Sequence, residues 1–150
     1  MHEAIQAHMG ESPEDAGFFW SGGPVEVAPK TWFASFFSGI VAFETSDGLV
    51  LVDSGLEMMA GTLATMIRQN TQADLHTCVL TQGHVDHAYG VHAFVNDGQE
   101  PPLVFAQADM PRRFSRYERT AGHNRAINAR QFGATVDMEK DAAVDTFRTP

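Results

Sequence analysis

Residues 39–55 read GIVAFETSDGLVLVDSG, and this stretch restricts the fold more than any other part of the chain. An Asp47-Gly48 pair stands between two apolar runs. Such a pair supplies the unusual backbone angles of a tight turn, so the runs on either side predict a β-hairpin. The second run, LVLV, is apolar at every position, as a strand covered on both faces requires. It stops abruptly at Asp53-Ser54-Gly55, a polar loop. TWFASFF, ahead of the hairpin, is also strand-like.

The pattern then changes period. Met59, Leu63, Met66 and Ile67 recur at helical spacing, which predicts a helix over 57–69 with these four on its apolar face. LHTCVL at 75–80 reads as a second buried strand, which places His76 and Cys78 in structural roles. A short helix is expected over 89–95, with His92 as a packing residue. LVFAQ at 103–107 reads as a third buried strand. Asp109 is a suitable N-cap, and Pro111 is tolerated in the first turn of the helix that follows. That helix carries Phe114 and Tyr117 on one side and Arg112, Arg116 and Arg119 on another. Gly122 is expected to separate it from a second helical piece over 123–131. A hairpin followed by β-α-β-α-β-α predicts an α/β sheet with helices packed on it.

At 150 residues the chain fits one domain with a sizeable core. Residues 1–24 are rich in Gly, Pro, Ser and acids and read as an irregular lead-in, with 25–150 as the domain. They lack the basic start and apolar centre of a secretory signal, and no apolar run is long enough for a membrane span, so the expected location is cytoplasmic. The single Cys78 excludes an internal disulfide and is expected to be a buried, inert thiol. A net charge of −9 argues against a nucleic-acid partner. The cations are nevertheless bunched: Arg112, Arg113, Arg116, Arg119, Arg125 and Arg130 are six of ten. They make either a solvated helix face paired with acids or a surface that attracts an anionic substrate.

Chemistry concentrates in TQGHVDHAYG, residues 81–90, just beyond the second buried strand. Loops at strand ends of α/β folds commonly carry ligands and catalysis. In extended backbone, positions 82 and 84 project to one side and can approach one metal ion together. Asp86 and His87 lie past a bend and suit a second ion. Imidazoles with a carboxylate suit zinc, with iron or manganese as alternatives, and such an ion acidifies water for attack on an ester-like bond.

Thr81-Gln82-Gly83-His84-Val85-Asp86-His87 resembles the T-H-x-H-x-D-H signature of the metallo-β-lactamase superfamily. Leu51-Val52-Asp53-Ser54-Gly55 resembles that family's aspartate loop, which supports the metal site from behind. The likeness runs from about residue 31 to 107. It implies the N-terminal half of an αββα sandwich, a mixed sheet with helices on one face, and a hydrolase using one or two zinc ions. Carried over by position, His84, Asp86 and His87 are metal ligands, Gln82 a weak or vestigial one, Asp86 also a catalytic group, and Asp53 a support. His87 directly after Asp86 is similar to the thioesterase, lactonase, sulfatase and nuclease branches. Arg113-Phe114-Ser115-Arg116-Tyr117, with Ala126 to Phe132, resembles the alkyl-sulfatase-like branch, which makes Arg113 and Arg116 candidates for holding a substrate anion.

The sequence departs from this family pattern in two ways. A neutral amide at Gln82 is a poorer zinc ligand than an imidazole. The family's distal histidines and bridging aspartate also have no counterpart here, His123 standing on a helix close to the motif. The domain is therefore expected to be incomplete, with an uncovered sheet face that favours a homo-oligomer or a complementing chain. The implied function is metal-dependent hydrolysis of a small ester, thioester or sulfate ester. The alternative is a truncated or degenerate relative without catalysis.

Overall fold

The structure, a computed structural model, describes residues 24–131; the lead-in before them and the stretch from 132 onward lie outside the described residues. Two compact units divide near residue 107. The first is built on a six-stranded sheet ordered β1-β2-β3-β4-β5-β6, comprising Val25–Ala28, Thr31–Phe36, Ser38–Thr45, Gly48–Val52, Leu75–Val79 and Leu103–Phe105. The first four strands pair antiparallel, while β4, β5 and β6 pair parallel, so the sheet is mixed.

The hairpin of β3 and β4 closes as the Asp47-Gly48 pair predicts, with Thr45 opposite Gly48 and Val41 opposite Val52. Gly48 has φ +132°, and a Cβ there would lie 2.7 Å from the Asp74 carbonyl oxygen. Glycine is required on both counts. Ile40, Ala42, Leu49 and Leu51 are fully buried and form the centre of the core. Two features of this region lie outside the sequence reading. One is β1, where VEVA is too short to give a pattern. The other is the turn between β2 and β3, made by Phe37 at φ +62°, an uncommon conformation for an aromatic residue.

Helix α1, Glu57–Arg68, buries Ala60, Leu63, Ala64 and Ile67. The apolar stripe is therefore centred one residue away from the predicted face, and Met59 and Met66 flank it half-buried. Burying a side chain such as Leu63 contributes about 2 kcal/mol. Arg68 fixes the end of α1: its guanidinium donates to the carbonyls of Ala73 and Phe94, the latter at 2.7 Å. Its burial lowers the guanidinium pKa from the ordinary value.

Several expectations are corrected. No helix spans 89–95; a one-turn helix α2, Val85–Ala88, starts inside the chemical motif, and a 3-10 turn follows at Val91–Phe94. His92 is exposed, with Phe94 taking the buried place. His76 is exposed as well, its Nδ1 lying 2.8 Å from Thr77 Oγ1, because the β4–β5 register shifts there: Leu49 pairs with Leu75 and Val50 with Thr77, which skips His76 and leaves Leu75 and Cys78 buried. Strand β6 is not buried: Leu103, Val104 and Phe105 are 55%, 52% and 57% exposed, since β6 is the outermost strand. Cys78 is buried and free, as expected, and burial followed by the nearby Asp53 charge pushes its thiol pKa up to about 12. Such a thiol is a poor nucleophile.

The second unit carries α3, Met110–Arg119, and α4, Ala121–Gln131. The Asp109 side chain makes no capping bond to α3; its backbone carbonyl accepts from Arg112 N at 3.1 Å instead. The two helices separate at Thr120, and Gly122 lies inside α4 rather than at the break. No helix among the described residues is long and apolar enough to cross a membrane.

Candidate metal centre

The site forms where β4 and β5 end side by side. Asp53 N donates to the Val79 carbonyl at 2.8 Å, which continues the parallel pairing by one residue. Asp53 then turns at φ +57°, a conformation that Asp and Asn tolerate better than other side-chain-bearing residues. The turn leaves its carboxylate 5% exposed and facing the next strand's loop. Thr81 donates to it twice, from N to Oδ1 at 2.8 Å and from Oγ1 to Oδ2 at 2.7 Å. His87 Nδ1 lies 2.8 Å from Oδ2. A buried carboxylate with three donors is well satisfied, and it fixes the plane of the His87 ring.

The backbone of α2 is clamped separately. The Ser54 N–H and hydroxyl both donate to the His87 carbonyl, at 2.7 and 3.0 Å. The same hydroxyl accepts from Gly90 N at 3.0 Å. Ser38 Oγ donates to the Asp86 carbonyl. These contacts hold Asp86 and His87 in place against two strands of the sheet. Ser38 and Gly90 had no place in the sequence reading. Nothing in a local pattern marks Ser38, which is 48 positions from its partner, whereas Gly90 stood in view as an unexplained glycine ending the motif.

With the loop so held, Gln82, His84, Asp86, His87 and Asp53 come together. Gln82 Nε2 is 2.9 Å from His87 Nε2, and Gln82 Oε1 accepts from His84 Nδ1. Asp86 Oδ2 is 3.3 Å from His87 Nε2. Two ligands of one tetrahedral zinc, each at about 2.0–2.1 Å, stand roughly 3.3 Å apart. Asp86 and His87 thus have the chemistry and the spacing to share an ion, while Gln82 and His84 are joined directly to each other. Among the described residues no group of three or more His, Cys, Asp or Glu side chains is arranged to hold a metal ion. The set fits part of one metal centre, not two closed ones.

Arg113 and Arg116 lie in the second unit. With Asp109, Arg112 and Arg119 they line an open cleft of about 340 Å³. Arg113 Nε donates to Tyr117 Oη at 3.2 Å, and its guanidinium lies 5.4 Å from the centre of that ring. Among the described residues none of these four arginines is in an ion pair.

Comparison with known proteins now decides the lineage. The family model described as "Metallo-beta-lactamase superfamily" matches residues 37–146. The chain belongs to that superfamily. No curated protein matches it. Among solved structures, a double mutant of the sec-alkyl sulfatase PisA1 from Pseudomonas sp. is 22% identical, over 60% of this chain and 15% of that one, with a TM-score of 0.52. A Cronobacter sakazakii metallo-β-lactamase, described by its HARLDQ motif, is 18% identical, over 77% of this chain and 39% of that one, with a TM-score of 0.54. These likenesses bear on the fold alone. The superfamily's N-terminal sheet and helices are thereby established for this chain, which spans well under half the length of either structure.

Proposed function

We propose that this superfamily member serves metal-dependent hydrolysis of an ester-type bond in a small substrate: an ester, a thioester or a sulfate ester. The observation that carries the reading is the Asp53–His87 pair. A carboxylate at Nδ1 leaves Nε2 turned toward the Asp86 carboxylate, the arrangement by which proteins orient an imidazole for a metal. Asp86 and His87 would hold a zinc ion, with His84 adjoining and Gln82 at most a weak ligand. Such an ion supplies Lewis acidity, acidifying water and polarising the scissile group. Asp86 would orient an attacking water by accepting its hydrogen bond, and Asp53 keeps the His87 proton on Nδ1. Within the second unit, Arg113 and Arg116 line a positively charged cleft that would suit an anion such as a sulfate ester.

Zinc content of the purified chain, measured together with hydrolysis of chromogenic ester, thioester and sulfate ester substrates, tests this. Bound zinc is expected, with turnover that a chelator removes and that His87→Ala reduces to background. A chain without zinc and without turnover would sink the proposal. That result would favour the second reading, a non-catalytic relative, for which the Gln82 amide between His84 and His87 speaks.

Strand β6, outermost among the described residues, supports association of the chain with a second copy: three consecutive large apolar residues there stand more than half exposed. Sedimentation velocity is expected to show a dimer or larger species whose proportion rises with concentration. A compact monomer at all concentrations would overturn this.

A further inference from the structure

Gln82 is more than a missing histidine, because the hydrogen bonds around it have one consistent direction. The Asp53 carboxylate can only accept, so the His87 nitrogen beside it, Nδ1, carries the proton. In the neutral ring Nε2 then holds the lone pair. It faces Gln82 Nε2 at 2.9 Å, and the amide N–H donates to it. That choice turns the other end of the carboxamide, Oε1, toward His84, whose Nδ1 must donate. The orientation of one buried carboxylate thus propagates through His87 and the amide to the tautomer of His84. Along this line His87 and Gln82 each give one proton and accept one, while His84 gives and Asp53 accepts, so no donor faces a donor.

We propose that the Gln82 carboxamide stands in for one of the two metal ions of the superfamily centre: it ties His84 to His87 by hydrogen bonds, keeps the ligand loop assembled without an ion, and restricts the chain to a single ion beside Asp86 and His87. The amide does for His84 by hydrogen bonding what an ion shared by positions 82 and 84 would do by coordination. Both lock ring orientation, but the amide brings no charge and no Lewis acidity. Only the location of the remaining ion rests on the proposed hydrolase function. The amide bridge itself does not depend on it.

The test is nitrogen-15 NMR of the histidine rings in the full chain, with and without zinc. In metal-free protein at a pH where both rings are neutral, His84 and His87 are each expected to show the single tautomer protonated at Nδ1. Gln82→Ala should keep this tautomer in His87, which Asp53 still holds, and shift the His84 Nδ1 signal, which loses its hydrogen bond to the amide. Gln82 is exposed, so the variant is expected to fold. Addition of zinc should shift His87 at concentrations that leave His84 unmoved. Gln82→His should raise zinc affinity by at least about tenfold and bring His84 into the set that shifts. Tautomer averaging at His84 in the unmodified chain, or His84 and His87 shifting together with zinc, would overturn the proposal. If zinc shifts neither ring, the hydrolase reading fails, and the tautomer of His84 with its response to Gln82→Ala still decides the bridge.

Discussion

Gly90→Ala is expected to destabilise the protein by about 3–5 kcal/mol, lowering Tm by roughly 10 °C in thermal unfolding followed by circular dichroism. A Cβ at this position would stand 2.1 Å from the Ser54 carbonyl oxygen and 2.7 Å from Ala60 Cβ. Neither neighbour is a flexible tip. Ser54 is fully buried backbone tied to His87, and Ala60 sits in the buried face of α1. The added methyl must push α2 off the sheet or α1 off the strand end, and the Gly90–Ser54 bond goes with it. Gly61→Ala provides the contrast. Nothing lies within 4 Å of a Cβ there, on the open side of α1. It should stabilise by about 0.4–1 kcal/mol through lower entropy of the unfolded chain. A Tm for Gly90→Ala within about 3 °C of the parent would contradict the packing described for the site.

Asp53→Asn should have the second largest effect, and it separates position from chemistry. Asn tolerates the backbone at φ +57°, so the turn itself is kept. The carboxylate, however, accepts three hydrogen bonds from Thr81 and His87. An amide can accept at only one end, so at least one donor must face another. The expected loss is about 1–3 kcal/mol of stability. Zinc affinity should fall by about 10–100-fold, since the outer carboxylate fixes the tautomer and direction of His87. Calorimetric titration with zinc and the His87 ring spectrum measure the two effects separately. Unchanged zinc binding together with an unchanged His87 tautomer would show that Asp53 supports the loop without directing the ring. Asp53→Ala is expected to be worse for the fold, because it leaves the donors unpaired and places alanine at positive φ.

The elements legible in the sequence are those whose cause is local. Asp47-Gly48 between apolar runs gave the β3–β4 hairpin, and a 3.6-residue period gave α1 to within a residue of its end. Histidines and an aspartate at tight spacing after an apolar run marked the candidate site. Where the reading failed, the deciding partner lay elsewhere in the chain. LVF at 103–105 has the composition of a buried strand, but burial depends on neighbours, and at the sheet edge it has one on a single side. LHTCVL is apolar on average and suggests an internal His76, yet the register shift between β4 and β5 skips it and leaves it exposed. The expected helix over 89–95 was displaced because Gly90 is held by Ser54, which splits the segment into α2 and a 3-10 turn.

By itself, the sequence determined the order of the strands from β2 to β6, the superfamily likeness and which residues to consider as a candidate site. Periodicity, turn chemistry and residue type are properties of neighbouring positions. Only the tertiary structure decided what those residues do to one another. Asp53 reaches His87 across 34 positions, Ser54 reaches Gly90 across 36, and Ser38 reaches Asp86 across 48. Hydrogen bonds are short and directional, so their partners, the tautomers they impose and the amide bridge at Gln82 exist only once the parallel strands β4 and β5 have brought their ends together.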